Sequence, residues 1–157
     1  MKNVFFYQTN IGKLGIAQEG QSITNIYFQT ESVPEDLIEF ETKLIKEAGQ
    51  QLQEYFAGKR KDFTIPLAPN GTPFMQSVWK ALSEIPYGET RSYKDIAERI
   101  ENPKAVRAVG LANNRNPLPV VIPCHRVIGA NGKLVGYGGG LDIKILLLEL
   151  EKKHGNI

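Results

Sequence analysis

The sequence predicts a mixed α+β chain in two parts: a small β-sheet-plus-helix unit over residues 1–68 and a mainly helical unit over 69–157. Three observations carry that reading. Short apolar or alternating runs fill the first thirty residues, three- and four-residue periodicity replaces them afterwards, and a Pro-rich connector, Pro66-Leu67-Ala68-Pro69-Asn70-Gly71, separates the two patterns.

Val4–Tyr7, Leu14–Ala17 and Ile23–Phe28 read as strands, with Glu19-Gly20-Gln21-Ser22 as a hairpin turn between the last two. From Pro34 the residues Leu37, Phe40, Leu44, Ile45, Ala48, Leu52 and Phe56 recur at helical spacing, so one amphipathic helix is expected there, with Gly49 as a possible interruption and Gly58 as its stop. Thr72-Pro73 reads as an N-cap followed by proline at the first helical position, with Phe74, Val78, Ala81, Leu82 and Ile85 as the buried stripe. Ser92, with Asp95 three residues on, forms a capping box for a short helix that buries Ile96 and Ile100. A second helix is expected from Asn102-Pro103 to about Asn113, with Val106, Val109, Gly110 and Asn113 toward the core and Lys104, Arg107, Ala108 and Leu111 on another face. Helix, tight turn, helix is the helix-turn-helix arrangement. Val120-Val121-Ile122 reads as extended, six glycines between Gly129 and Gly140 read as a loop or wing, and Leu141–Leu150 reads as a largely buried helix. Glu151 at its end then needs a partner or a path to water.

Composition narrows the function. No apolar run approaches the ~20 residues of a membrane helix, and the start of the sequence lacks the tripartite pattern of a signal peptide, so a cytoplasmic address is expected. The single cysteine forms no internal disulfide, and one cysteine with two histidines does not make a zinc site. Residues 1–71 carry seven Lys/Arg against nine Asp/Glu, whereas residues 72–157 carry twelve against eight. The stretch from Arg91 to Lys133 holds eight basic and three acidic residues, an excess that suits a polyanion.

Pro123-Cys124-His125-Arg126-Val127 holds the chemistry. A free thiol is only a few per cent thiolate at neutral pH, and burial lowers that further, so Cys124 needs a base or a cation. His125 is adjacent. Neighbours in an extended strand point to opposite faces, so contact with Cys124 requires a kinked backbone or a bridging water. Glu151 is a candidate to orient the imidazole, giving a nucleophile–base–carboxylate relay.

The string Pro-Cys-His-Arg-Val resembles the active-site motif of the O6-alkylguanine-DNA alkyltransferases, the methylated-DNA–protein-cysteine methyltransferase family. Ile85-Pro86-Tyr87-Gly88, Ser92-Tyr93-Lys94, Asn102-Pro103, Arg107-Ala108-Val109-Gly110, Asn116-Pro117 and Gly139-Gly140-Leu141 follow the family's motifs in order. The resemblance is strong over residues 70–153 and extends to the N-terminal third only in its β–α character. It implies a ribonuclease H-like N-terminal domain and a winged helix-turn-helix C-terminal domain. It implies single-turnover repair, with Cys124 accepting the alkyl group, His125 deprotonating it through a water and Glu151 orienting His125. Arg107 is then the finger that fills the stack when the nucleotide flips out. Tyr93 crowds the target phosphate and donates a proton to the leaving guanine. The Val127 carbonyl reads the guanine amino group, Asn116 braces the segment before the nucleophile, and Tyr137 and Gly138 lie in the loop over the base. Small residues at Ala105 and Ala108, with Lys104, suit a minor-groove approach to double-stranded DNA. No metal or organic cofactor, no membrane and a monomer are expected.

The sequence departs from relatives at Gly138, where Ser or Ala is common, at Leu111, where some carry Gly, and in lacking the N-terminal Cys and His that bind zinc in some. Three other readings compete. Non-enzymatic alkyltransferase-like proteins replace the acceptor cysteine, which Cys124 argues against. A transcriptional regulator would need a sensor domain that residues 1–65 do not suggest. A cysteine hydrolase would leave the helix-turn-helix and Arg107 idle.

Overall fold

The computed structural model describes residues 2–134, 137 and 139–155, and the chain forms two compact units, residues 1–70 and 71–157.

In the first unit, β1 (Lys2–Thr9), β2 (Gly12–Glu19) and β3 (Ser22–Tyr27) form an antiparallel meander, and β4 (Ile38–Glu39) adds in parallel to β1, giving the order β3-β2-β1-β4. Four consecutive residues of β2, Leu14 to Ala17, are buried, as a strand inside a sheet requires. Helix α1 (Lys43–Phe56) buries Ile45, Ala48, Leu52, Tyr55 and Phe56.

The helix starts nine residues later than the periodicity from Pro34 suggests. Thr42 caps it, accepting from the Ile45 N–H at 3.0 Å. The segment before it is a sheet edge, where the Phe40 N–H donates to the Val4 carbonyl at 3.0 Å, and both Ile38 and Phe40 face solvent. Gly49 does not interrupt α1. A Cβ there would come within 2.9 Å of the Tyr7 ring, so its small size lets the sheet approach the helix. Gly58, at φ +76°, ends α1. Its N–H bonds the Tyr55 carbonyl at 3.0 Å and the Lys59 N–H bonds that of Glu54 at 2.8 Å, a Schellman closure. The connector also extends the sheet's bonding: the Ile23 N–H donates to the Pro66 carbonyl and the Ala68 N–H to that of Ile23, both at 2.9 Å.

In the second unit, α2 (Pro73–Ser83) begins at the Thr72 cap with Pro73 in its first turn, and α3 (Tyr93–Arg99) carries the Ser92–Asp95 capping box. Trp79 and Val78 lie in the core and Phe74 is half-buried; the Trp79 indole N–H donates to the Ala112 carbonyl at 2.9 Å, tying α2 to α4 (Val106–Asn114). Ile96 and Ala97 are the buried residues of α3, and Ile100 is only half-buried.

Asn102-Pro103 does not begin α4. The Ala105 N–H closes a turn on the Asn102 carbonyl at 3.0 Å, which puts Pro103 at the second turn position, where its fixed φ is favoured. Val106 is then the first residue of α4 and faces solvent at its open end, while Val109, Ala112 and Asn113 are buried. Residues 120–122 are not a free extended run either. The Ile122 N–H bonds the Leu118 carbonyl at 2.9 Å, and Val120 has φ +74°. Strand β5 (Arg91–Ser92) pairs in parallel with β6 (Val127–Ile128). Helix α5 (Leu141–His154) is less buried than its composition suggests: Leu141, Ile145 and Leu146 are exposed, and the buried positions are Lys144, Leu147 and Glu151. His154, in the last turn of α5, is half-buried. Among the described residues no helix is long and apolar enough to cross a membrane.

Gly58→Ala should cost about 1–2 kcal/mol, the penalty of a side chain in the left-handed region. Urea unfolding should show a lower midpoint with an unchanged slope.

Candidate active site

Cys124 opens a single 3-10 turn, Cys124–Arg126, fixed by the Arg126 N–H on the Pro123 carbonyl at 3.0 Å and by the Val127 N–H on the Cys124 carbonyl. Three residues per turn replace the two-residue alternation of a strand. Cys124 and His125 therefore do not project to opposite faces, and this is the kink that their proximity in sequence calls for. Both are buried.

Glu151 reaches this turn from α5. Its Oε2 lies 2.7 Å from His125 Nε2. Arg126 forks onto the same carboxylate, Nε to Oε1 at 2.8 Å and the terminal nitrogen to Oε2 at 2.9 Å. The Gly88 N–H adds a bond to Oε1 at 3.1 Å. Arg126 also donates to the Ile85 carbonyl at 2.7 Å and stacks over the Tyr87 ring at 5.6 Å. Burial alone would raise the Glu151 pKa, but the bonds and charges of His125 and Arg126 overcome it and hold the carboxyl well below its ordinary range. Burial is also the main influence on His125, lowering its pKa against the pull of Glu151, with Arg126 and Lys144 adding to the fall. A neutral imidazole bonded to a carboxylate through Nε2 carries its proton there, so Nδ1 is the basic nitrogen.

Burial pushes the Cys124 thiol up to about 11, against smaller opposing effects from Asn116, Lys144, its own backbone and Tyr137. Asn116 braces the approach to this turn, its amide donating to the Ile122 carbonyl at 2.8 Å and its oxygen accepting from the Leu118 N–H at 2.9 Å. Tyr93 lies close enough for a Cys124 thiolate to raise its pKa, although burial raises it more, and its ring rests against Gly110. Val127 is buried and its carbonyl accepts from Lys144 Nζ at 2.6 Å. Arg107 and Ala108 stand exposed on α4; Lys104 is exposed and Ala105 half-buried in the turn before it, so these four form an outer surface rather than part of the buried cluster. Gly138 lies outside the described residues.

Sequence reasoning gave no site role to Lys144 or Tyr87, placed Asn113 only on the core face of its helix, and noted Arg126 only as the cation that follows His125. The Asn113 amide donates to the Cys124 carbonyl at 3.4 Å. Lys144 had one available signal: it shares with Leu147 and Glu151 the three- and seven-residue spacing of one helix face.

Glu151→Gln would keep the shape but leave the Arg126 guanidinium buried without its counter-ion, at an expected cost of about 3–5 kcal/mol at pH 7 by urea unfolding. Folding depresses the His125 pKa below 6.5 and that of Glu151 below 4.5, so the unfolded chain binds more protons through both groups. Wild-type stability should therefore fall below pH 6.5 and fall further below 4.5. The gap to Glu151→Gln should narrow in that lower range; a gap constant with pH would contradict the charge assignment.

Two family models cover almost the whole chain. The ribonuclease-like domain of 6-O-methylguanine DNA methyltransferase matches residues 5–69 and the DNA-binding domain of the same family matches 73–153. A methylated-DNA–protein-cysteine methyltransferase of Methanosarcina acetivorans is 53% identical over 149 residues, covering 92% of this chain and 95% of the relative. The constitutive methylated-DNA–protein-cysteine methyltransferase of Bacillus subtilis is 51% identical over 152 residues, 92% of each chain. The crystal structure of Mycobacterium tuberculosis OGT in complex with DNA superposes with a TM-score of 0.92 at 47% identity, covering 97% of this chain and 94% of that one. Sheet-and-helix first unit, helical second unit and the buried cysteine turn thus agree with one family along the whole length, and the chain belongs to the methylated-DNA–protein-cysteine methyltransferases.

Proposed function

We propose that this protein repairs DNA by moving the alkyl group from the 6-oxygen of a damaged guanine to Cys124, once per molecule. The observation that carries the reading is the buried Cys124–His125 turn with Glu151 Oε2 held 2.7 Å from His125 Nε2. That contact sets His125 as a neutral base at Nδ1. A water relays the Cys124 proton to it, and Glu151 stabilises the imidazolium that forms. The thiolate attacks the saturated carbon; the S–C bond forms as the C–O bond breaks. The electron pair departs on the guanine, which takes up a proton from the Tyr93 hydroxyl. The raised Tyr93 pKa keeps that hydroxyl protonated until the step occurs. The thioether product has no hydrolytic exit, so the molecule turns over once.

The reactive carbon of such a lesion is hidden in the duplex, so the nucleotide must leave the stack, at a cost of a few kcal/mol. Arg107, exposed on α4, fills the vacated place. Lys104, Ala105 and Ala108 beside it offer charge and little bulk, which suits a close approach to the minor groove, where little sequence is read. The Val127 carbonyl has two lone pairs; Lys144 takes one, and the other reads the guanine amino group. Asn116 holds the backbone before the nucleophile, and Tyr137 and Gly138 close over the base. The protein works as a cytoplasmic monomer on double-stranded DNA, without a metal or organic cofactor.

Mixed with excess duplex holding one O6-methylguanine, the intact protein should gain the mass of one methylene, located at Cys124 and stopping at one equivalent. Cys124→Ser should gain nothing. Arg107→Ala should still be methylated, but slower by roughly two orders of magnitude, the scale of losing about 3 kcal/mol of extrusion energy. An unchanged wild-type mass with tight lesion binding would replace this reading with a non-enzymatic lesion binder.

A further inference from the structure

Helix α4 has one face tied down and one left open. On the inner face Val109, Ala112 and Asn113 are buried, the Trp79 indole holds the Ala112 carbonyl at 2.9 Å, and the Asn113 amide reaches the Cys124 carbonyl at 3.4 Å. Arg107, Leu111 and Arg115 are exposed and follow at four-residue spacing, so they form one row. Leu111, at the centre of that row, is 51% exposed. A single exposed leucine is ordinary on a protein surface; the charges beside this one are not. The chain has six arginines. Arg60, Arg91, Arg99 and Arg126 each pair with a glutamate, whereas Arg107 and Arg115 meet no acidic group among the described residues. The helix itself contains no Asp or Glu, and Glu101, in the turn before it, lines a groove between α2 and α3 instead. Unpaired cations thus stand about 6 Å of helical rise to either side of an apolar centre. That pattern matches a groove of DNA, with phosphates on both rims and base edges between them.

We propose that Leu111 is a specificity-determining residue: it lies on the floor of the minor groove beside the extruded nucleotide and disfavours G·C pairs there. This rests on the alkyl-transfer reading above, in which Arg107 takes the place of that nucleotide. Leu111 follows Arg107 by one helical turn, about 5.4 Å, and base pairs are about 3.4 Å apart. Leu111 therefore meets one of the two pairs next to the gap. In the minor groove an A·T pair offers only acceptors in either orientation, whereas a G·C pair adds the guanine 2-amino donor. That amino group projects from the groove floor. A leucine over it offers no acceptor and displaces the water that would serve one, leaving a donor unsatisfied. Over A·T the floor is open and the same side chain packs closely. A glycine at this position would leave the amino group to water, so the preference belongs to this side chain and not to the fold.

The test is the single-turnover rate of methyl transfer, followed by intact mass, from duplexes in which the two pairs on each side of O6-methylguanine are all A·T, all G·C or all I·C. Inosine is guanine without its 2-amino group. Wild type should react faster with A·T and I·C flanks than with G·C flanks. Stronger pairing in G·C also resists extrusion, so the decisive comparison is with L111A, a change that an exposed helix position accepts. The ratio of A·T-flanked to G·C-flanked rates should be about tenfold larger in wild type than in L111A, the scale of one unsatisfied donor. Equal ratios in the two proteins, or an L111A rate lowered by the same factor on every flank, would overturn the proposal. Binding of lesion-free A·T, G·C and I·C duplexes, by fluorescence anisotropy, should give the same order in wild type and lose it in L111A. That measurement needs no methyl transfer. A Leu111-dependent preference in a protein that accepts no methyl group would therefore sink the repair reading and leave Leu111 as a groove reader.

Discussion

The site depends on a single carboxylate. Glu151 is buried near the end of α5 and accepts from His125, twice from Arg126 and once from the Gly88 backbone. Those four bonds join three separate pieces of the second unit: the last helix, the turn that begins at Cys124 and the loop after α2. Such a group is tolerated in the interior only because every lone pair is used and a guanidinium offsets its charge. Its position fixes the tautomer of His125, and through the Arg126 bond to the Ile85 carbonyl it also fixes the loop. A carboxylate that a short reading assigns to orienting one histidine is equally the fastener of the domain.

The same interior sets the resting state of the thiol. Burial keeps Cys124 a neutral thiol at rest, with a pKa near 11. On the proposed reading, in which the cysteine is spent once, a thiol kept neutral by burial is also shielded from oxidants and stray electrophiles. On that reading, reactivity is supplied within the site by His125, which burial holds toward its neutral form. Tyr93, Asn116 and Tyr137 surround the thiol with polar groups but no negative charge, so none opposes ionisation as a carboxylate would.

What was legible in the sequence was local or carried by motif. Thr72-Pro73 and Ser92 with Asp95 announce their helix starts because capping is decided within four residues. Cys124, His125 and Glu151 were legible as a candidate relay, and the structure brings His125 and Glu151 into contact. What was not legible depends on distant partners. Phe40 fits a helical period, yet its N–H belongs to Val4 and it lies on a sheet edge. Asn102-Pro103 resembles a helix start, but the turn onto Ala105 delays α4 and leaves Val106 at its exposed first position. Arg126 is legible as a cation in the cysteine motif, but its carboxylate partner 25 residues away is not. The spacing of Lys144 puts it on the face of Leu147 and Glu151, but nothing local tells that a backbone carbonyl awaits it.

Helix α5 holds the turn at two points, Lys144 on Val127 and Glu151 on His125 and Arg126. Seven residues separate them, close to two helical turns and about 10.5 Å of rise. The helix thus acts as a ruler. Side chains on its outer face, such as Ile145 and Leu146, can drift through evolution at little cost. Adding or deleting one residue between the two anchors would turn one of them by about 100° and release the Cys124 turn at one end. The segment should therefore tolerate many spellings and only one length.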